Sequence, residues 1–345
     1  MAHLFIKDIK AGMNINDIYL VTQPVLRPTT KGDLYIAMYL SDKTGKVNSR
    51  MWQATESIYQ QIPSEGFIQI RGKSELYQNA LQIVVNDVLV VSQDKINLAD
   101  YMARTEKDVP QMYARLKEIL GRITHPQLKA LAEMFLYDKD LMILFCNAPA
   151  AMQMHHNFLG GLLEHTLNML EVAEAIFPLY PKIQKDLVRA AIFLHDIAKT
   201  EELSYKAAIS YTDGGQLLGH IILGAQMITQ AADKLAARGK PVDAAVLDNL
   251  LHIIISHHGA YEFGSPKLPA TPEAFMVSYI DNMDAKINQT TALIENDSTE
   301  GSWTAYQKSL ETKLSTATAC WNSSIILAAG ALWLTARRGW LEASV

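Results

Sequence analysis

Seven side chains that can bind a metal ion lie between residues 165 and 281, and they limit the possible folds of this 345-residue chain more than any other feature. They are His165, His195, Asp196, His220, His257, His258 and Asp281. A single histidine on an apolar helix face is usually a structural core residue. These five histidines all lie in apolar, helical stretches, where polar groups without partners would cost about 1–3 kcal/mol apiece. The series therefore predicts helices that converge on a site for divalent cations.

The pair His195-Asp196 is the most specific motif of this series. Apolar residues between Val188 and Leu194 lead directly into it, so the helix is predicted to be buried up to that point. A carboxylate in such a place must be paired or must coordinate a cation. Lys199 lies three residues beyond Asp196 and would project to nearly the same face of a helix. It is either a group that meets phosphate oxygens as charge builds in a transition state or an ordinary surface lysine.

The other ligands lie at predicted helix ends and on a predicted buried face. His220 begins a helix, and the pair His257-His258 ends an apolar run. Asp281 lies on the buried face of a later helix, and Asp284 lies one turn beyond it. The sequence leaves open whether Asp284 is solvated or supports the ligands from behind.

Residues 15 to 92 are predicted to form a small β-barrel. Five runs are rich in β-branched and aromatic residues, namely Ile18–Leu26, Leu34–Leu40, Lys46–Trp52, Phe67–Leu76 and Leu81–Val91. Turn residues lie at 42–45 and 78–79, and Thr55–Gln61 is predicted to form a short helix between the third and fourth runs. Five strands with a helix at that place match the OB-fold. The segments LSDKTGKVNSRMW and RGKSELYQNALQIVV resemble the anticodon-binding type of this fold.

Helical spacing of apolar residues begins at Gln111 and continues to about Leu314. The predicted fold is therefore multi-domain α+β, with a five-stranded OB-fold barrel at the N-terminus followed by an all-α domain. We place the barrel at residues 1–95, a linker at 96–110, the all-α domain at 111–314 and a C-terminal tail, without an assigned role, at 315–345.

Composition and the absence of long apolar segments in the sequence indicate the cellular compartment of the protein. The two cysteines, Cys146 and Cys320, are too few for a disulfide framework and favour a reducing compartment. The N-terminus carries charges and lacks the apolar core of a signal peptide. The longest apolar run, Ile325–Leu334, is too short to span a bilayer. We therefore expect a cytoplasmic protein without a membrane partner.

From about His155 to Asn288 the chain resembles the HD superfamily of metal-dependent phosphohydrolases. With its N-terminal barrel it is similar to the YhaM-type 3′→5′ exoribonucleases. The resemblance is carried by the segments HHNFLGGLLEHTLNML, FLHDIAKTEEL, LLGHIILGAQMI, IISHHGAYEFGSP and SYIDNMDAKIN. It implies two divalent cations, with Mn²⁺ favoured and Co²⁺ and Fe²⁺ also compatible with nitrogen and oxygen ligands. One ion would take His165, His195, Asp196 and Asp281, and the other would take Asp196, His220, His257 and His258, so that Asp196 bridges them.

The resemblance also implies substrate contacts. His155 and His156, which precede the first ligand helix, are either a structural pair or groups that contact the terminal nucleotide or protonate the leaving oxygen. Tyr35, Trp52 and Tyr77 lie on or beside barrel strands, where they are either core residues or platforms on which bases stack. The expected partner is single-stranded RNA, with single-stranded DNA as a second candidate. Assembly into a homo-oligomer stays open.

The sequence thus favours an exonuclease that removes 3′-terminal nucleotides from a single strand and releases nucleoside 5′-monophosphates. One alternative is a cyclic-dinucleotide or nucleotide phosphohydrolase, because the same ligand set occurs there, although the barrel argues against it. The other is a non-catalytic nucleic-acid-binding factor for replication or RNA handling, against which the intact ligand series and Lys199 argue.

Overall fold

The structure is a computed structural model that describes residues 3–78, 80–152, 156, 158–205, 209–295, 297, 299 and 301–317. By its contacts the chain divides into two units, Met1–Ala285 and Lys286–Val345. The predicted barrel, linker and ligand series all fall within the first unit. The boundaries that we placed between domains remain predictions.

Five strands near the N-terminus close into a barrel. They are β1 Asn14–Pro28, β2 Leu34–Asp42, β3 Gly45–Met51, β4 Glu65–Tyr77 and β5 Ala80–Val91, paired in the order β1-β2-β3-β5-β4. Strand β1 closes the barrel by pairing with β4, and only the β3–β5 pair is parallel. Helix α1, Glu56–Gln61, connects β3 to β4 and is capped by Thr55, whose side chain accepts a hydrogen bond from the Ile58 amide. The predicted OB-fold is confirmed.

Side chains alternate along the barrel strands because successive residues of a strand point to opposite faces. On β2, Ile36, Met38 and Leu40 are buried in the barrel core, whereas Tyr35 and Tyr39 are only half-buried. Strand β2 joins β3 through the predicted turn, where Asp42 pairs with Gly45. The second predicted turn contains Gln78, with φ of 49°, while residue 79 lies outside the described residues.

A helical region follows the barrel. Its helices are α2 Val109–Leu120, α3 Pro126–Leu136, α4 Lys139–Asn147, α5 Gly161–Ile176, α6 Lys185–Leu194, α7 Lys199–Glu202, α8 Asp213–Ala237, α9 Ala244–Ser256 and α10 Pro272–Glu295. Apolar faces of α2 to α6, α8 and α9 share one core in which Leu116, Phe145, Phe193 and Ile254 are fully buried. Two-residue strands β6, Leu203–Ser204, and β7, Ser210–Tyr211, interrupt the helices as a short antiparallel pair. None of the described helices is long and apolar enough to cross a membrane.

The prediction that helices continue to about Leu314 is wrong beyond Glu295. Residues 301–317 instead form turns with isolated bridges between Trp303 and Ser315 and between Gln307 and Thr312. The carboxylate of Asp297 accepts hydrogen bonds from the amides of Thr299 and Ala305. Such local side-chain bonds compete with helix formation. The tail from residue 318 onward, including the apolar run at 325–334, lies outside the described residues.

The predicted linker packs against both of its neighbours. Tyr101 and Met102 are buried in a small apolar cluster with Leu20 and Phe67 of the barrel and with Leu159, which precedes α5. The Tyr101 hydroxyl donates a hydrogen bond to the Ile18 carbonyl, 3.1 Å away. Residues 96–108, called the connector from here on, are therefore held to the barrel and to the region that precedes α5.

Asp186, on the first turn of α6, anchors the loop that precedes α3. Its carboxylate accepts hydrogen bonds of 2.8 Å from the Thr124 amide, the Thr124 hydroxyl and the His125 amide, and one of 2.9 Å from Arg189. Burial raises the pKa of Asp186, but the hydrogen bonds from His125 and Thr124 outweigh it and lower the pKa below its ordinary value. The ionised form therefore stabilises the fold.

We expect Asp186→Asn to lower the free energy of unfolding at pH 7 by about 1–3 kcal/mol, because hydrogen bonds to a charged acceptor are lost. The folded-state pKa lies below the unfolded value of about 3.9, so the contribution is complete above that value and disappears as pH falls through the folded-state pKa. Urea denaturation at pH 7 and at lower pH measures the difference between variant and wild type. The exposed Asp233 on α8 supplies the control substitution, Asp233→Asn. A pH-independent difference would contradict the assignment to the carboxylate charge.

Candidate metal centre

The first ligand positions come from the end of α6, where the chain stays inside the core. Residues 190–194 are fully buried, and the helix delivers His195 and Asp196, which are 0% and 2% exposed. Lys199 begins α7 one turn later and is only 7% exposed. Its Nζ lies 2.7 Å from Asp196 Oδ2. Lys199 is therefore buried beside the carboxylate, and the alternative of an ordinary surface lysine is wrong.

A break in α8 gives His220 its position. Gly219 has φ of 72° and ψ of 159°, a conformation that side-chain-bearing residues rarely adopt. The helix restarts at His220, whose backbone amide donates a 2.9 Å hydrogen bond to Glu202 Oε1. The same oxygen lies 3.0 Å from His220 Nδ1. Glu202 thus caps the restarted helix and fixes the imidazole in one arrangement.

Both oxygens of Asp196 face histidines, on two sides of the carboxylate. Oδ2 lies 3.3 Å from His195 Nε2 and 3.9 Å from His165 Nε2. Oδ1 lies 3.4 Å from His220 Nε2 and 3.8 Å from His257 Nε2. Two ligand atoms that each lie about 2.1 Å from one ion are about 3.0–4.2 Å apart at octahedral angles. These separations fit ligands that share a cation.

The remaining ligands complete one group on each side. His165, His195 and Asp281 offer ligand atoms within 4.8 Å of one another, and so do His220, His257 and His258. His165 Nε2 lies 3.3 Å from Asp281 Oδ1. The structure therefore brings the seven predicted ligand side chains together, with Asp196 between the two groups.

The five histidines predicted as ligands are oriented alike, because in each of them Nδ1 lies within hydrogen-bonding distance of an oxygen and Nε2 is directed away from it. The acceptors are the backbone carbonyls of Ile192, Ile254 and Phe263 for His195, His257 and His258, and the carboxylates of Glu202 and Asp284 for His220 and His165. A proton on Nδ1 leaves the lone pair of Nε2 for a metal ion. This pattern is what metal-binding histidines require.

Several ligand atoms are buried without a hydrogen bond. Among the described residues, Nε2 of His195, His220 and His257 and Oδ1 of Asp196 have no hydrogen-bond partner. Leaving four such atoms unsatisfied in a core would be costly. Cations on the two sides of Asp196 would satisfy all four, so the side chains fit divalent metal binding.

Ionisation states at the site show that its centre attracts positive charge, whether of a proton or of a metal ion. Burial raises the pKa of Asp196, but the charges of His195 and Lys199 outweigh it and hold the pKa well below the ordinary value. Burial, together with the neighbouring His258, holds the pKa of His257 well below its usual range. Burial lowers the pKa of His165, but hydrogen bonds with Asp281 and Asp284 outweigh it and raise the pKa to about 9. Ionised carboxylates thus surround a position that attracts positive charge.

Two side chains support the predicted ligands: Glu202, which was not predicted, and Asp284, for which the sequence left a solvated and a supporting role open. Glu202 holds His220, as described above. Asp284 Oδ2 lies 2.7 Å from His165 Nδ1 and 2.9 Å from His156 Nε2. His156 therefore contacts Asp284, whereas residue 155 lies outside the described residues, so the prediction for His155 stays untested. The signal for Asp284 was its position one turn beyond Asp281, and Glu202 had no comparable signal.

Aromatic side chains line a groove on the outer face of the barrel. The groove, of about 510 Å³, is bordered by Tyr35, Tyr39, Arg50 and Tyr77. Trp52 packs on Tyr35 with ring centroids 5.1 Å apart. The Arg50 guanidinium lies 5.2 to 5.7 Å from the rings of Tyr77, Trp52 and Tyr35. Trp52 and Tyr77 are 42% and 46% exposed, so neither is a core residue.

Several known proteins are similar to all or part of this chain. Residues 162–286 match the family model of the HD domain. The chain is 32% identical over 284 residues to the 3′-5′ exoribonuclease YhaM of Geobacillus sp. (strain WCH70), a match that covers 81% of this chain and 85% of that protein. The second OB-fold domain of replication protein A from Methanococcus maripaludis matches 26% of this chain and 96% of its own, with 12% identity and a TM-score of 0.22. An aspartyl-tRNA synthetase from Entamoeba histolytica matches 52% of this chain and 38% of its own, with 11% identity and a TM-score of 0.22.

The barrel and the ligand-bearing helices define an OB-fold joined to an HD-domain phosphohydrolase, a class that uses divalent metal ions. At 32% identity over most of both chains, the protein belongs to the YhaM family of 3′-5′ exoribonucleases.

Proposed function

We propose that this protein is a metal-dependent 3′→5′ exoribonuclease that hydrolyses single-stranded RNA and releases nucleoside 5′-monophosphates, with single-stranded DNA as a second candidate substrate. The observation that carries this proposal is the convergence of six candidate metal-ligand side chains on a seventh, Asp196, in a member of the YhaM family. Such a site suits a phosphodiesterase, because phosphoryl transfer depends on positioning and on charge stabilisation.

Two divalent ions, Mn²⁺ ahead of Co²⁺ and Fe²⁺, are proposed as cofactors. His165, His195 and Asp281 would hold one ion with Asp196 Oδ2, and His220, His257 and His258 would hold the other with Asp196 Oδ1. The separate groups of histidines on the two oxygens of Asp196 support two ions rather than one. When bound, such a pair supplies Lewis-acid charge for the attack of water on a phosphodiester. The nitrogen and oxygen ligands suit these borderline metals.

Lys199 is the proposed partner of the phosphate. Its ammonium group is buried beside Asp196 and within a centre lined by ionised carboxylates. Burial lowers the pKa of Lys199, but the charge of Asp196 outweighs it and raises the pKa, so the side chain stays positively charged. A fixed positive charge at this place would stabilise the additional negative charge that phosphate oxygens gain in the transition state.

We expect Lys199→Ala to lower kcat by about 10²- to 10³-fold with little change in KM, because the proposed interaction strengthens only in the transition state. Steady-state kinetics on a short single-stranded RNA measures both parameters. Lys199→Arg, which retains the charge but changes its geometry, is expected to recover only part of the rate. An unchanged kcat in Lys199→Ala would show that Lys199 pairs with Asp196 but does not stabilise the transition state.

The barrel favours a polymer as substrate rather than a single nucleotide. Its groove combines exposed aromatic rings with the charge of Arg50, and Lys46 Nζ lies 4.0 Å from the centroid of the Tyr39 ring. Bases of a single strand stack on such rings, and cationic side chains follow the backbone. The proposed substrate-binding residues of the barrel are therefore Tyr35, Trp52 and Tyr77. His156, which contacts Asp284, is proposed to contact the terminal nucleotide or to protonate the leaving oxygen.

The decisive experiment is incubation of the Mn²⁺-loaded protein with 5′-end-labelled single-stranded RNA. A ladder that shortens one nucleotide at a time from the 3′ end, with release of nucleoside 5′-monophosphates, is the expected result. A matched single-stranded DNA tests the second substrate, and an RNA blocked at its 3′ end tests the direction. Cleavage of a cyclic dinucleotide with intact RNA, or binding of RNA without cleavage, would overturn the proposal in favour of a small-nucleotide enzyme or a binding factor.

A further inference from the structure

The connector runs directly beside the start of α5, the helix that carries His165. The Thr105 amide donates to the Leu159 carbonyl and the Leu159 amide donates to the Ala103 carbonyl, each over 2.9 Å. Gly160 lies so close to Thr105 that a Cβ on it would be 2.7 Å from Thr105 Cγ2. The Thr105 hydroxyl also donates to the carboxylate of Glu164 on α5. The connector and this end of α5 are therefore fixed to each other.

A chain of polar side chains continues from the connector to the metal centre. Lys107 Nζ lies 3.0 Å from Glu164 Oε1 and donates a 3.1 Å hydrogen bond to Asn168 Oδ1. Asn168 Nδ2 donates a 3.1 Å bond to Asp284 Oδ1. The other oxygen of Asp284 faces His165 Nδ1 at 2.7 Å. Four side chains from three distant segments thus link the connector to a metal ligand.

The chemistry of these groups fixes the direction of every bond. A lysine ammonium can only donate and an ionised carboxylate can only accept, so the Asn168 amide has one possible orientation between them. Asp284 must then accept from Asn168 on one oxygen and from His165 on the other. Because His165 directs Nδ1 to Asp284, its Nε2 faces Asp196 and Asp281, where a metal ion would take the place of the Nε2 proton. A change at Lys107 removes the partner that holds the amide oxygen.

We propose that Lys107 and Asn168 form a hydrogen-bonded relay through which the connector holds Asp284, and with it the ligand His165, in the orientation that a metal ion requires. Lys107 and Asn168 are positioning residues and do not touch the substrate. The proposal rests on the proposed function only in requiring that His165 binds a metal ion.

The test is a double-mutant cycle on Mn²⁺ binding by the full chain, with free Mn²⁺ quantified by electron paramagnetic resonance. Removal of a group that supports a ligand from outside weakens metal binding by about 10- to 100-fold. Asn168 is one hydrogen bond further from His165 than Asp284 is, and Lys107 is two. We therefore expect Asn168→Leu to weaken one of two Mn²⁺ sites about tenfold and Lys107→Met to weaken it about threefold. Because both act in one chain, Lys107→Met should add nothing in the Asn168→Leu background.

Lys129→Met removes an exposed lysine of α3 and is expected to leave Mn²⁺ binding unchanged. Thermal unfolding of the metal-free variants separates a weakened fold from a weakened site. Additive losses in the cycle, or equal Mn²⁺ binding by Lys107→Met and wild type, would overturn the relay. Failure of the wild type to bind Mn²⁺ would overturn the metal centre and the relay together. Intact Mn²⁺ binding without an RNA ladder would overturn only the proposed substrate.

Discussion

Replacement of Asp196 with asparagine is expected to lower the rate of RNA hydrolysis by at least about 10³-fold. The two oxygens of Asp196 face different groups of predicted ligands. Asparagine retains the volume but loses the charge and one of the two acceptor oxygens, so neither proposed ion would keep its full ligand set. Loss of several kcal/mol of charge stabilisation corresponds to this factor, since each 1.36 kcal/mol changes the rate tenfold. Single-turnover hydrolysis of end-labelled RNA at saturating Mn²⁺ measures it.

The stability of this variant must be measured beside its rate. Asp196 is also the partner of the buried Lys199, 2.7 Å away. Removing one member of a buried ion pair costs about 3–5 kcal/mol, because the other charge is left without compensation. Asp196→Asn combined with Lys199→Met removes both charges and should regain stability without regaining activity. Substantial hydrolysis by Asp196→Asn, with a normal KM, would remove Asp196 from the reaction.

The ligand series could be predicted because the residue types and their order along the sequence already indicate its chemistry. A carboxylate that follows a fully apolar run, as Asp196 does, has few alternatives to a cation or an ion pair. Glu202 was not predicted, since its role depends on the break at Gly219 that brings the restarted helix α8 to its carboxylate. Helical periodicity contains no signal for such a break.

Other parts of the site depend on packing between segments distant in sequence. Asp284 is three residues beyond Asp281, a spacing equally compatible with a solvated residue, and only the packing of α5 against α10 brings it to His165. Trp52 follows the last residue of β3, so alternation along that strand could not assign it to the core or to the surface. Its exposure of 42% assigns it to the surface, where it packs on Tyr35 of β2.

The aromatic groove of the barrel is expected to dominate the affinity for RNA. Trp52→Ala and Tyr77→Ala should each weaken binding by about 1–3 kcal/mol if a base stacks on the ring, which is about 5- to 150-fold in Kd. Both side chains are substantially exposed, so neither substitution leaves a cavity in the core. Fluorescence anisotropy of a labelled single-stranded RNA, with an inactive metal-free protein, measures Kd. Tyr137→Ala, which removes an exposed tyrosine at the end of α3, is the control and should change nothing.

Substitutions of Arg50 distinguish the contribution of charge to RNA binding from that of base stacking in the same groove. Its guanidinium lies within 5.7 Å of three ring centroids, so it can present both a flat surface and a positive charge to the strand. Arg50→Ala should weaken binding and reduce the log–log salt slope by about 0.7, the contribution of one phosphate contact on a single strand. Arg50→Lys should weaken binding but keep that slope.

In all these variants, hydrolysis of a small activated phosphodiester should match the wild type, because the metal centre is untouched. If Kd and salt slope stayed unchanged while RNA was still degraded, the strand would be held by the helical domain instead, and short substrates would be degraded as well as long ones.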